Sequence, residues 1–483
     1  MSDPKIDDLG EEVKEMQTRA AVCQAVAAGV IEMRKQAKTY LPQRAMEDQK
    51  TWDSRRDEAE FFPAFAHALE AYIGKPLGSP IVFEDVPPAV EAGFENLDKC
   101  GADADTFFRE VLKAGLRDGC TYVVADYAKV PQGATLAQER ALGARPYLIH
   151  VPLDKVIDFR TQAGEDGTVT FTHFRYKECV QVPVNRWGTK EVERIRVLDP
   201  GMVEVWEKQV LTVGGQPVWV LLEDLSGPVS VQEVPVACYR PKKDGPPLED
   251  LAWLNVTHWQ SSSYQRAVLN VARVPLLACD TDVREDPNAP VVIGVKGLIT
   301  GLENLHYVEH QGAAIQAGKE DLHDLEDQMR RVAGQMLVAE GGQKTAREAS
   351  LESSDGSSKL RAWVNTFHDF VEECLRLMAL WVRESAGGSA ELDMDWDEEE
   401  VNALVLTALS TMRDKGQISQ DVLFWNIQKG GLVPPDRTLE DEQAALEKEG
   451  PQPMPAVLPF APKPKVGPDG KPMPPDGTMQ QGA

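Results

Sequence analysis

The most chemically suggestive cluster in the chain is HYVEH, His306 to His310, which has the form H-x-x-E-H. On a helix, two histidines four residues apart point the same way from adjacent turns, so His306 and His310 could bind zinc while Glu309 serves as a base. Only three positions of that pattern are fixed, and no third ligand or substrate cleft accompanies them. A solvated or interfacial helix start is therefore the simpler reading. A second cluster is GGQKTAREA, where Gly341 and Gly342 loosen the backbone ahead of Gln343, Lys344 and Arg347. It lacks the glycine directly before the lysine that a phosphate-cradling loop needs, and the chain has no GxSxG or GxGxxG turn. A basic pair on a hinged loop can instead touch a phosphate backbone without holding it.

Other candidates read as surface or core. Asp393, Asp395 and Asp397 and the run Glu398 to Glu400 lie in open charged stretches, which suits a solvated face with at most weak divalent-ion binding. Trp363 and Phe367 stand at helical spacing and belong to a core stripe instead of a stacking platform for bases. No catalytic residue, resident metal or cofactor is expected.

The elements that position these residues are mixed. Val13, Met16, Ala20, Cys23, Ala27 and Val30 fall on one stripe of an amphipathic helix reaching Met33. Phe61, Phe65, Leu69 and Ile73 repeat every four residues until Gly74 and Pro76, and FFREVLKAGLRDG predicts a helix ending at Gly119, before the strand TYVVADY. From Arg145 to Tyr239 short β-rich runs alternate with turns such as Asp199-Pro200-Gly201, the signature of an antiparallel meander. A long helix is expected from Leu248 to Arg273, and a Pro- and Gly-punctuated β segment follows it. A second long helix is expected from Glu303 to about Ala333, with Val308, Ile315, Leu322 and Met329 spaced seven apart as a seam for another helix. A third carries Leu360, Trp363, Phe367, Phe370, Cys374, Leu377 and Trp381 along one side. Two more helices are expected over residues 399–415 and 420–429. Ten prolines in the 33 residues after Gly450 mark a polyproline-like or disordered tail.

Bulk properties narrow the class. A formal charge of −26 over 483 residues argues against a sequence-specific DNA reader, which gains affinity from clustered Lys and Arg. The seven cysteines form no CxxC pair, so neither a disulfide framework nor a zinc knuckle is suggested and a reducing compartment fits. No signal sequence is evident at MSDPKIDDLGEE and no stretch reaches the about 18 apolar residues of a membrane span.

Taken in order, these segments resemble the portal proteins of tailed bacteriophages over nearly the whole chain up to the tail. The stretches that carry the resemblance are RPYLIHVPLDKVIDFR (145–160), PPLEDLAWLNVTHWQSSSYQRAVLNVARVPLL (246–277), AREASLESSDGSSKL (346–360) and MRDKGQISQDVLFWNIQKGGLVPPDRTLEDE (412–442). The resemblance implies an α+β, mostly helical, ring-forming fold: a wing over 1–247, stem helices over 248–273 and 300–337, and a clip over 274–299 between them. It further implies a tunnel loop over 338–349, a long helix and strand over 350–397, and a helical crown over 398–449 ahead of the tail at 450–483. In that frame Gly341, Gly342, Gln343, Lys344 and Arg347 would meet DNA in the channel, and Val308, Ile315, Leu322 and Met329 would pack against identical neighbours. The family's rings usually have twelve subunits and sit at one vertex of the virion after assembly in the host cytoplasm. Implied partners are the terminase large subunit, head-completion or tail adaptor proteins, capsid and scaffolding proteins, and double-stranded DNA passing non-specifically, with no membrane. A zinc-dependent peptidase centred on HYVEH and another virion structural adaptor are the alternatives.

Overall fold

A computed structural model of the chain describes residues 5–128, 143–165, 167–210, 215–273, 276–278, 281–282, 302–303, 306–308, 312–333, 346–392, 394, 403–429, 433 and 437–449, together with 135, 138 and 141. The chain is mixed α/β and about half helical. It divides into two compact units, Met1–Trp396 and Asp397–Ala483.

The first unit opens with helices α1 (Glu11–Ala27), α2 (Val30–Lys35), α3 (Ala37–Tyr40), α4 (Gln49–Glu58) and α5 (Ala64–Gly74). The single helix expected from Val13 to Met33 is broken at Gly29, whose φ of 80° is a conformation that only glycine adopts freely. Asp48 starts α4 by accepting a hydrogen bond from the Thr51 amide, 2.9 Å away, in the ordinary manner of an N-cap aspartate. After β1 (Val82–Glu84) and α6 (Pro88–Glu91), helix α7 (Ala104–Asp118) buries Phe107, Phe108, Val111 and Leu112 and ends at Gly119, φ 86°. That is the expected stop.

Strands β2 (Thr121–Tyr127) and β3 (Pro146–Pro152) form a three-stranded sheet with β10 (Val236–Tyr239), in the order β10-β2-β3. The meander proper is a separate antiparallel sheet of β4 (Val156–Ala163), β5 (Val169–Pro183), β6 (Thr189–Asp199), β7 (Met202–Gln209) and β8 (Val218–Leu221), with β9 (Gly227–Pro228) paired to β7. Phe174, Tyr176 and Leu198 from this sheet pack with Tyr122 and Val124 of β2 and Val13 and Ala20 of α1 in one apolar cluster.

Next comes α8 (Glu249–Ala272), then short strands β11 (Leu276–Ala278), β12 (Thr281–Asp282), β13 (Leu302–Glu303) and β14 (His306–Val308). β11 pairs with β14 and β12 with β13, both antiparallel, so the chain leaves α8 along a ribbon and returns along it. Helix α9 (Ala313–Val332) follows, then α10 (Ala346–Trp381) and β15 (Ser389–Glu391), which pairs with β1. Two expectations are corrected here. The second long helix does not begin at Glu303, because His306, Tyr307 and Val308 are taken into pairing with Leu276–Ala278, and the helix starts only after Gly312 at φ 76°. The third long helix starts at Ala346 instead of near Leu360, because the Ser-rich run before Lys359 continues the helix. The largest core gathers Phe65, Leu69 and Tyr72 of α5, Phe108 of α7, Trp259 of α8, Met329 of α9 and Phe367, Val371 and Cys374 of α10.

In the second unit, α11 (Ala403–Asp414) and α12 (Gln420–Lys429) are joined by α13 (Leu439–Glu449), a third helix that the sequence reading did not separate.

Candidate functional site

The features that could do work sit on the pair α8 and α9. One side of α8 is fixed by burial of Leu251, Ala252, Val256 and Trp259, each at most 2% exposed. Asn255 pins the same side: its Oδ1 accepts from the Phe65 amide at 3.1 Å and its Nδ2 donates to the Phe62 carbonyl at 2.8 Å. Nearby, the buried Arg55 guanidinium donates to Glu47 Oε1 at 2.7 Å and Oε2 at 2.8 Å, to the Pro42 carbonyl at 3.0 Å and to Ser263 Oγ at 3.3 Å. Leaving such a charge unpaired inside a protein costs several kcal/mol, so this network locks α4 to α8.

Across the pair, His258 Nε2 faces Glu326 Oε1 at 3.6 Å and Gln265 Nε2 donates to the Ile315 carbonyl at 2.9 Å. As numbers rise along α8 they fall along α9, so the helices run antiparallel. They approach closely at Gly318, where an added Cβ would clash with Gln265 Oε1 and lie 2.8 Å from its Cδ. Burial drives the His258 imidazole below its ordinary pKa, and the Glu326 carboxylate pulls partly the other way. At the far end, Tyr72 Oη donates to the Ala333 carbonyl at 2.9 Å and closes the last turn of α9 onto α5.

The seven-residue seam is only partly used inside the chain. Met329 is 0% exposed within the main core, while Ile315 and Leu322 are half-buried against Gln265 and Leu269 of α8 around a groove of ≈ 320 Å³. Val308 is on strand β14 and not on the helix. The expectation that these four residues pack against a neighbouring subunit is therefore corrected for Met329, because the apolar stripe of α8 already needs covering and α9 supplies the cover. What α9 turns outward is charged: Lys319, Glu320, Asp321, His323, Asp324 and Arg331 are exposed. On α8 the exposed face carries Trp253 and Tyr264, with the Arg44 guanidinium 4.0 Å from the Tyr264 ring.

Gly341, Gly342, Gln343 and Lys344 lie outside the described residues, whereas Arg347 falls in the first turn of α10 and not in the preceding loop. His306 is on a strand, and Glu309 and His310 lie outside the described residues, so the helical spacing on which the zinc reading depends is gone. Asp393, Asp395 and Asp397 are likewise outside them. Among the described residues no group of three or more His, Cys, Asp or Glu side chains could hold a metal ion, and no helix is long and apolar enough to cross a membrane. The sequence reading missed His258 and Gln265. Both sit where α8 meets α9 at spacings of three and four, which the apolar stripe alone conceals.

A family model described as a domain of unknown function, DUF4055, matches residues 247–382, from just before α8 to just after α10. No curated protein matches the chain. Among solved structures, one titled as the virion of a native gene transfer agent particle is 13% identical, covers 85% of this chain and 99% of its own, and has a TM-score of 0.38. A chain in the neck of an empty particle of this kind, computed with C6 symmetry, covers 81% of this chain and 96% of its own at 13% identity and TM-score 0.39. A chain in the neck of a native particle, computed with C12 symmetry, gives 80%, 94%, 13% and 0.37. At these scores the likenesses decide neither the family nor the function of this chain.

Proposed function

We propose that this chain is the repeated subunit of a portal-type ring at one vertex of a tailed-phage capsid, a conduit through which double-stranded DNA is packaged and released. The observation that carries the reading is the excursion from α8 through the paired strands β11–β14 into the antiparallel α9. A helix, a β ribbon and a returning helix follow one another in the order of the stem and clip that the sequence resemblance implies, although the returning strands Leu302–Glu303 and His306–Val308 lie inside the span expected for the second stem helix. The reading rests on the chain's own sequence and helices.

On this reading the chain performs no chemistry. The ribbon end docks the terminase and later the head-completion proteins, and the force for packaging comes from the motor. The formal charge of −26 per subunit repels phosphates, which lets DNA slide without sticking. Twelve copies are the expected number, closed by head-to-tail contacts. Electron microscopy of the purified full-length chain in negative stain tests the reading. Rings with a central hole are expected, and lone subunits or closed shells under all assembly conditions would overturn it.

A further inference from the structure

With Met329 buried inside the subunit and Ile315 and Leu322 half-buried, the α8–α9 seam leaves only part of its apolar surface for a neighbour, and a second contact would help to close a ring. We propose that the tip of the β5–β6 hairpin, led by Trp187 and Arg186, seats in the cleft lined by Tyr127, Trp381, Pro88 and Ala89 of a second copy of this chain. The proposal rests on the ring reading and names the partner surface that closes it.

The hairpin is an arm. Its strands pair without interruption from Phe174 opposite Leu198 to Pro183 opposite Thr189, yet no residue from Lys177 to Arg194 is buried. Eight residues beyond Tyr176 at about 3.4 Å each carry its tip roughly 27 Å from the sheet's core. The tip is a hydrogen-bonded turn: Asn185 Oδ1 accepts from the amides of Trp187 and Gly188, both at 2.8 Å. It holds Trp187 at 86% exposure and Val184 at 64%, with the Arg186 guanidinium 4.8 Å from the indole ring. A rigid turn that presents a tryptophan and an arginine to water has the chemistry of an interface anchor. Val180, Val182 and Val192 extend a half-exposed apolar strip along the same arm.

The receiving cleft measures ≈ 1010 Å³ and lies between α6, the end of β2 and the end of α10. Tyr127 and Trp381 stack with centroids 6.1 Å apart and planes 18° from parallel, and Trp381 Nε1 donates to the Ala125 carbonyl at 3.0 Å. Pro88, Ala89 and Pro146 complete an apolar floor suited to an indole ring. At the rim stand Glu384, to meet Arg186, and Arg383, to meet Glu191 and Glu193 beside the tip. Arg383 is held at φ 62°, a costly backbone conformation for an arginine.

The occupant is not the same copy's tip, since Trp187 stands in water while its own strands are fixed in the sheet. A knob and a matching hole at different places on one chain make a heterologous contact, the kind that closes into a ring. A foreign partner would not need the chain to carry both halves.

The test uses the full chain with Cys100, Cys179 and Cys279 changed to Ser, carrying Thr189→Cys, Ala89→Cys or both. A short bismaleimide should give a ladder of linked oligomers only when both cysteines are present. Without cross-linker, Trp187→Ala should raise the subunit concentration needed for assembly at least about thirtyfold, the effect of losing a 2 kcal/mol anchor. Arg186→Glu should weaken assembly and Glu384→Arg in the same chain should restore it. Intact rings with no ladder and an unchanged assembly concentration in Trp187→Ala would overturn this contact and leave the ring reading standing. A subunit that never assembles would overturn both.

Discussion

His258 and Glu326 face each other 3.6 Å apart across the two long helices, too far for a hydrogen bond but close enough for each to set the other's charge. Burial already holds His258 below its ordinary pKa, so its folded value lies under its unfolded one. Such a group adds stability that is complete above about pH 6.5 and is lost as pH falls toward the folded value. His150, held down to about 4 by burial and by Arg117, acts in the same direction, so acid sensitivity alone does not isolate His258. The difference between variants does. In Glu326→Gln the protonated imidazole loses its nearest countercharge and keeps only the weaker pull of Glu60 and Asp321, so the loss should continue to a lower pH than in the wild type. Urea midpoints between pH 7.5 and 4.5 measure this, and a constant offset at every pH would mean that Glu326 does not act on His258.

Gly115 predicts the opposite of its helix propensity. Replacing a helical glycine with alanine ordinarily stabilises by about 1 kcal/mol. Here the new Cβ would lie 2.5 Å from Cε1 of Tyr239 and closer still to Cδ1. That ring is 0% exposed, sits 5.0 Å edge-on to Phe367 and donates through its hydroxyl to the Trp363 carbonyl at 3.2 Å, so it has nowhere to move. Gly115→Ala should therefore destabilise by about 1–3 kcal/mol net, the range for overpacking a well-filled core. Denaturant titration of the variant checks it, and the pair Gly115→Ala with Tyr239→Leu should lose less than the two single changes together.

Periodicity made the helices around the core legible, and local competition hid their ends. The stripe from Leu360 to Trp381 reads directly as the buried face of α10, because seven apolar positions at spacings of three and four can share one face. The start of that helix at Ala346 is invisible to the same test, since Ser353, Ser354, Ser357 and Ser358 carry no apolar signal although the backbone stays helical. Val308 shows the reverse failure. It fits the seven-residue repeat, yet pairing with Leu276 places it in a strand, a partner 32 residues away that no local pattern announces. The cleft lined by Tyr127 and Trp381 depends on residues 254 positions apart and was legible only once the fold had joined them.

Glu47 and Arg55 form a pair with side chains 5% and 4% exposed, and the Arg55 side holds the Glu47 carboxylate below its usual range. Removing one partner strands the other. Glu47→Ala should cost about 3–5 kcal/mol in unfolding free energy, while Glu47→Leu with Arg55→Met should recover most of it by giving up both charges together. A double variant no more stable than Glu47→Ala would show that the links from Arg55 to Pro42 and Ser263 matter more than the charge pair.

On the proposed ring reading, Lys344 and Arg347 are the positions where this acidic chain would touch passing DNA. Arg347 lies in the first turn of the 36-residue helix α10, so α10 fixes its backbone. A positive side chain at a helix amino terminus is disfavoured by the helix dipole, which favours anions there, and a passing phosphate would offset that cost. Lys344→Glu with Arg347→Glu should leave ring assembly intact, because neither position belongs to the hairpin or to the residues lining the cleft. It should lower the amount of DNA packaged or retained, read as the DNA-to-protein ratio of particles assembled with the variant, and the deficit should grow at low salt, where a reversed charge repels phosphates over a longer range. An unchanged ratio at every salt concentration would remove these two residues from any role in the channel.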